Sequence, residues 1–312
     1  MARVPFRSGL SLIAVLGLLG GAISEAAEPP SVVASILPVH ALVAGVMAGI
    51  GEPHRLVKGS GSPHDFHLRP SDSQRLREAS LVFWIGPSQE SFLVQPLKSL
   101  GRGPEIVTLI ETVGLRLLTP RAGGAWDRHA HGHSHGRAAG HDPHIWLDPD
   151  NARLLVDRIT AALVEHDGAR AAAYRANAAR MQAEIAALDG ALADALRPVA
   201  AVPYIVMHDA LQYLERRYAL SPVGSLTIST DRPPSAKRVA QLRQTIAAKH
   251  VRCVFIEPNF DPALARTLIE GTAAKIGQID PEGLAITPSQ AAYGLLMRNL
   301  AGSLIDCLRP AP

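Results

Sequence analysis

Cysteine is nearly absent, with two residues in 312. That excludes a four-cysteine zinc module and any dense disulfide scaffold. Aromatic residues make up only 4%, too few for a platform that stacks single-stranded nucleic acid. Neither sign of charge dominates: 31 Lys and Arg stand against 28 Asp and Glu, a formal net charge of +3. So near a balance argues against a dedicated nucleic-acid binder. No HExxH sequence occurs, so the helical zinc-hydrolase signature is missing. Beyond the N-terminus no apolar run is long enough to span a bilayer. What remains is a globular composition, 47% hydrophobic and 19% charged, able to bury a core. Histidine is the outlier: six of its 13 copies fall between His129 and His144.

Residues 1–26 read as a secretory signal. Arg3 and Arg7 precede the uncharged, mostly apolar stretch from Gly9 to Ile23, and Ser24-Glu25-Ala26 supplies small residues for cleavage. The alternative, a membrane anchor, is disfavoured because 15 residues are short for a bilayer core. No Cys follows the stretch, so a lipid anchor is not supported and a periplasmic location is expected. Without this segment 29 basic and 27 acidic residues remain. Export permits a disulfide, and Cys253 and Cys307 are expected to pair, fastening the last helix to a strand. The alternative is two buried free thiols.

Short apolar segments alternate with helical patterns, which predicts parallel sheets. The candidate strands are Val32–Ile36, His54–Val57, Leu81–Ile85, Glu105–Leu109, Tyr204–Met207, Val223–Thr227, Arg252–Ile256 and Lys275–Ile279. Between the two sets lies an Ala-rich segment, Ala169 to Leu196. Its large apolar residues Tyr174, Met181, Ile185, Leu188, Leu192 and Leu196 recur at helical spacing. The predicted fold is α/β, with two lobes, each holding a mostly parallel sheet, joined by one long connector helix. Residues 27–168 form the first lobe, 169–197 the connector and 198–312 the second lobe. Within the first, residues 121–141 hold Gly, Ala and His with almost no large apolar side chains, which predicts a mobile surface loop. His129, His131, His133, His135 and His141 belong to it.

Three histidines stand apart. His64 lies beyond a predicted strand, His144 in Asp142-Pro143-His144-Ile145-Trp146-Leu147, and His208 directly after Tyr204–Met207. Ligands of α/β sheets sit beyond the carboxyl ends of strands. Three neutral imidazoles with an acidic fourth group suit tetrahedral zinc.

Several stretches, in order along the chain, carry a family resemblance. They are His64-Asp65-Phe66, Leu68-Arg69-Pro70-Ser71-Asp72, Leu81-Val82-Phe83-Trp84-Ile85-Gly86-Pro87, Asp142 to Leu147, His208-Asp209-Ala210 and Cys253 to Pro258. The chain resembles the substrate-binding components of zinc ABC importers, the ZnuA type, among metal-binding proteins with a rigid connecting helix. The resemblance implies a transported zinc ion held between the lobes by His64, His144 and His208. It implies Asp280 or solvent as fourth ligand, because the glutamate that some members place before the first histidine is Pro63 here. It also implies delivery to a membrane permease with its cytoplasmic ATPase, no enzymatic activity, a monomer, and an auxiliary metal-collecting role for the histidine-rich loop. Glu257 is expected either to orient a ligand histidine or to cap the next helix. Asp65 and Asp209 are equally open. Manganese-type members resemble the chain too, but carry a carboxylate where His208 stands, which favours zinc. A periplasmic zinc hydrolase using Glu257, and a metal-buffering or adhesive protein without a transporter, are the rival readings.

Overall fold

The computed structural model describes Met1 and residues 28–59, 63, 66–101, 103–121, 126, 140–227 and 235–310. Apart from Met1, the expected signal segment lies outside them. Among the described residues no helix is long and apolar enough to cross a membrane.

The first lobe contains β1 (Val32–Ala34), α1 (Leu37–Val46), β2 (His54–Arg55), α2 (Pro70–Glu78), β3 (Leu81–Trp84), α3 (Val94–Ser99), β4 (Glu105–Thr108) and α4 (Pro149–His166). The connector is α5 (Ala171–Leu196). The second lobe contains β5 (Tyr204–His208), α6 (Gln212–Arg217), β6 (Pro222–Thr227), α7 (Ala236–Ala248), β7 (Cys253–Ile256), α8 (Pro262–Ile269), β8 (Lys275–Gln278) and α9 (Ala292–Leu308). Every expected strand is present, shifted by a residue or two at its ends.

The sheets share one topology. Their orders are β2-β1-β3-β4 and β6-β5-β7-β8, and every recorded strand pairing is parallel. The inner strands β1, β3, β5 and β7 are buried along their whole length, as sheets covered on both faces require. The crossovers change direction between β1 and β3, and again between β5 and β7. Each lobe therefore has a switch point, where α/β proteins place their ligands.

At 1.5 Å per residue α5 is about 39 Å long. All six large apolar residues that the spacing marks are buried, joined by Asn177 and Ala178. Asn177 had no apolar signal, but its Nδ2 donates to the carbonyls of Val46 and Ala48, both at 2.9 Å, satisfying the end of α1. One core cluster runs from α1 through α4 and α5 to α9, so the lobes share a hydrophobic interior instead of meeting at a loose hinge. Arg217 of α6 adds a brace, pairing with Asp189 of α5 and Asp150 of α4.

The disulfide forms between Cys253 of β7 and Cys307 of α9. Gly283 marks a second close contact. Its φ is +70°, and a Cβ built there would lie 2.3 Å from Cδ2 of Leu37 in the other lobe. Gly283→Ala combines an unfavourable backbone conformation with overpacking, and should cost about 2–4 kcal/mol. Urea denaturation would read this as a lower midpoint at unchanged slope.

Candidate metal centre

His208 ends β5, at the carboxyl side of the second switch point, and Glu257 follows β7 across it. The His208 Nδ1 to Glu257 Oε1 distance is 3.1 Å, with both side chains buried. A carboxylate accepts hydrogen bonds, so Nδ1 carries the hydrogen and the lone pair resides on Nε2. The N-terminus of α8 is capped by Asp261, which accepts from the N–H of Ala263 at 2.8 Å. Burial works against a charged His208. The Glu257 carboxylate more than offsets it, aided by Asp209 and Asp142, and the imidazole pKa is raised above its usual 6.5.

His144 enters from the other lobe, just before the single 3₁₀ turn Ile145–Leu147 that leads into α4. Oδ1 of Asp142 accepts from the His144 backbone N–H at 3.0 Å and lies 2.8 Å from its Nδ1. The tautomer argument is the same as for His208. Pro143 disfavours helical backbone at Asp142, and the Asp142 carboxylate meets the nitrogen edge of the ring. The second lobe grips this turn. Trp146 Nε1 donates to the carbonyl of Pro281 at 3.1 Å, and Tyr293 donates to the carbonyl of Trp146 at 3.0 Å. The Tyr213 hydroxyl donates to the carbonyl of Asp142 at 2.9 Å and accepts from the N–H of Leu118 at 3.1 Å.

The two imidazoles, 3% and 4% exposed, have ring centres 5.2 Å apart at 70°. Two imidazoles bound through Nε2 at about 2.05 Å, at a tetrahedral angle, would have centres about 5 Å apart. The observed separation of ring centres is close to that value.

The remaining expected ligands stand differently. His64 and Asp65 lie outside the described residues, as do His129, His131, His133 and His135. His141 is half-buried beside the site's Asp142. Asp280 follows β8 on the same carboxyl side. Its Oδ2 accepts from the N–H of Ala285 at 3.2 Å, and its Oδ1 is buried with no hydrogen-bond partner among the described residues. Among the described residues no three His, Cys, Asp or Glu side chains come together as a metal centre. The structure thus joins His144 to His208 and does not gather Asp280 with them. His67 is exposed. His40 is a core residue, its Nε2 3.0 Å from the carbonyl of Pro53 and its pKa lowered by burial to about 4.

Residues without a sequence signal complete the interface. Glu90 fills the first switch point, taking bonds from Ser35, Ile85 N at 3.1 Å and Gly86 N at 2.9 Å. Burial pushes its carboxyl up to about 7 despite these donors. Next to it, Gln89 donates to Glu282 of the second lobe at 2.7 Å. Glu282 is raised well above its ordinary range by burial and by the like charges of Glu257 and Glu90. Asp142 lies in the stretch around His144 that the sequence singles out, and Glu257 is named there as well.

Residues 32–307 match the family model described as "Zinc-uptake complex component A periplasmic". The high-affinity zinc uptake system protein ZnuA of Brucella abortus is 39% identical, over 91% of this chain and 93% of that protein. The protein of the same name from Paracoccus denitrificans is 36% identical, over 96% of this chain and 98% of its own length. The periplasmic zinc binding protein TroA from Treponema pallidum superposes with a TM-score of 0.76 at 21% identity, covering 90% of this chain and 100% of its own; that likeness concerns the fold.

Proposed function

The chain belongs to the family of periplasmic zinc-uptake component A proteins, and from that premise we propose that it captures zinc outside the cytoplasm and hands it to the permease of an ABC importer. The observation that carries this reading is the buried pair His144 and His208, one from each lobe, each set by a carboxylate and spaced for one zinc ion. His64 is the proposed third ligand. Asp280 is the proposed fourth, its unpartnered Oδ1 being the oxygen that would turn to the metal; solvent is the alternative. The role is that of a binding protein, with zinc as cargo, and the histidine-rich segment, His141 included, is assigned to collecting additional zinc. Export by residues 1–26 and action as a monomer belong to the same proposal.

Equilibrium titration against a chelator tests it. One zinc ion should bind tightly per chain and manganese more weakly; a preference for manganese would move the protein to the manganese-type branch. Disruption of the gene should abolish growth in zinc-depleted medium, and added zinc salt should restore it. Growth that does not depend on the gene would count against delivery to an importer.

The pH dependence follows from His208. Zinc needs the neutral imidazole, so affinity should fall as pH falls through a pKa above the usual 6.5. For folding the sign is opposite. A raised folded pKa contributes stability that is full below the unfolded value and is lost as pH rises through the folded one. Apo protein thus gains from His208 on the acid side, where zinc is lost. Glu257→Gln should lower zinc affinity about 10- to 100-fold and move the acid limb of the affinity profile to lower pH. An unmoved limb would show that Glu257 does not set the charge of His208.

A further inference from the structure

Arg121 comes from the first lobe, at the start of the histidine-rich segment, yet its guanidinium is inserted into the second lobe. Its Nε donates to Oδ2 of Asp209 at 3.1 Å, and its Nη2 pairs with Asp209 Oδ1 and with Glu215 Oε2, the latter at 2.7 Å. Trp126 stacks on the guanidinium plane, 3.7 Å from its carbon to the ring centre. The two carboxylates are 7% and 3% exposed. Glu215 also accepts from the Tyr204 hydroxyl at 2.9 Å, but Asp209 depends on Arg121: both its oxygens are engaged by the one fork.

Stability is a poor reason for this arrangement, because buried ion clusters seldom outperform apolar packing of the same volume. Position supplies a better one. Asp209 is the chain neighbour of His208, and its charge is felt by both His208 and Asp142. A carboxylate released at that place would bring an oxygen donor to the edge of a nitrogen site. Oxygen-rich, higher-coordinate sites favour manganese, whereas nitrogen-rich tetrahedral sites favour zinc.

We propose that Arg121 is a specificity-determining residue: by holding both oxygens of Asp209 it withholds that carboxylate from the metal and keeps the donor set of the site rich in histidine nitrogen. This rests on the zinc-site reading above. Lysine would not serve equally, since a point charge lacks the fork that engages both oxygens.

The test is the ratio of zinc to manganese affinity, measured by chelator competition on the full chain and its variants. Removing a positive charge strengthens binding of both divalent ions alike, so the ratio isolates the donor change. Arg121→Gln should reduce the zinc preference at least tenfold through tighter manganese binding, with Arg121→Lys in between. Arg121→Gln combined with Asp209→Asn should restore the original ratio. Asp209→Asn alone should leave the ratio within about twofold of the parent, and it remains decisive if Arg121→Gln does not fold. An unchanged ratio in folded Arg121→Gln, with only a lower melting temperature, would overturn the proposal. So would a tenfold change of ratio in Asp209→Asn alone. If the parent protein itself fails to bind zinc tightly, the zinc-site reading fails; if it binds and only the ratio is insensitive to Arg121, this inference alone fails.

Discussion

Replacing both His144 and His208 by alanine should weaken zinc binding on the order of 10⁴-fold. Four-ligand protein zinc sites are worth about 10–16 kcal/mol in apparent binding energy, so each ligand carries roughly 3 kcal/mol. Two ligands then correspond to about four decades, at 1.4 kcal/mol per decade. The effect should reside in binding and not in folding. Both rings are buried, but each is followed by residues anchored independently: Trp146 by Pro281 and Tyr293, Asp209 by Arg121. Zinc titration by chelator competition, paired with thermal unfolding of the apo forms, separates the two. A double variant that binds zinc within tenfold of the parent would place the principal site elsewhere, with the histidine-rich segment as the first place to look. Single variants should each lose about two decades, and larger losses would show that the pair acts as a unit.

Replacing Cys253 and Cys307 together by serine should produce the largest loss of stability among the variants considered. The pair is 54 residues apart in sequence, for which loop-closure entropy in the unfolded chain gives about 4 kcal/mol. For a protein of this size that lowers the melting temperature by roughly 10 °C. The site should survive in native buffer. Cys253 begins β7 and Glu257 follows its end, which places them about 13 Å apart along an extended strand. Differential scanning calorimetry and zinc titration on the same variant give the two readings. A variant with an unchanged melting temperature would mean that the unfolded chain is already restricted in that region. One that loses zinc affinity would mean that α9 holds the far end of β7 in register through the bond.

The architecture was largely legible because its signals are local. Buried parallel strands announce themselves as short runs such as Leu81 to Ile85, and the connector by apolar steps from Tyr174 to Leu196 that fall on one helix face. α3 and α4 carry the same physics with weaker marks. α3 is short, with a Pro at position 96. The start of α4 is concealed behind the turn that holds His144, where Pro149 reads as a break although it occupies the first helical turn. His208 was placed at a strand end by the run before it, and the disulfide by there being only two cysteines.

The site itself needed the third dimension. That His144 lies beside His208, that Glu257 meets the His208 ring and that Asp142 meets the His144 ring could not be read from spacing. The same holds for Gln89 reaching Glu282 across 193 residues and Arg121 reaching Asp209 across 88. The amino-acid sequence by itself determined the elements, because periodicity and turn chemistry act over a few residues. Only the tertiary structure decided which polar groups meet between the lobes, because a core shared by α1, α4, α5 and α9 brings the two lobes together, and polar groups caught there must find partners or remain unsolvated.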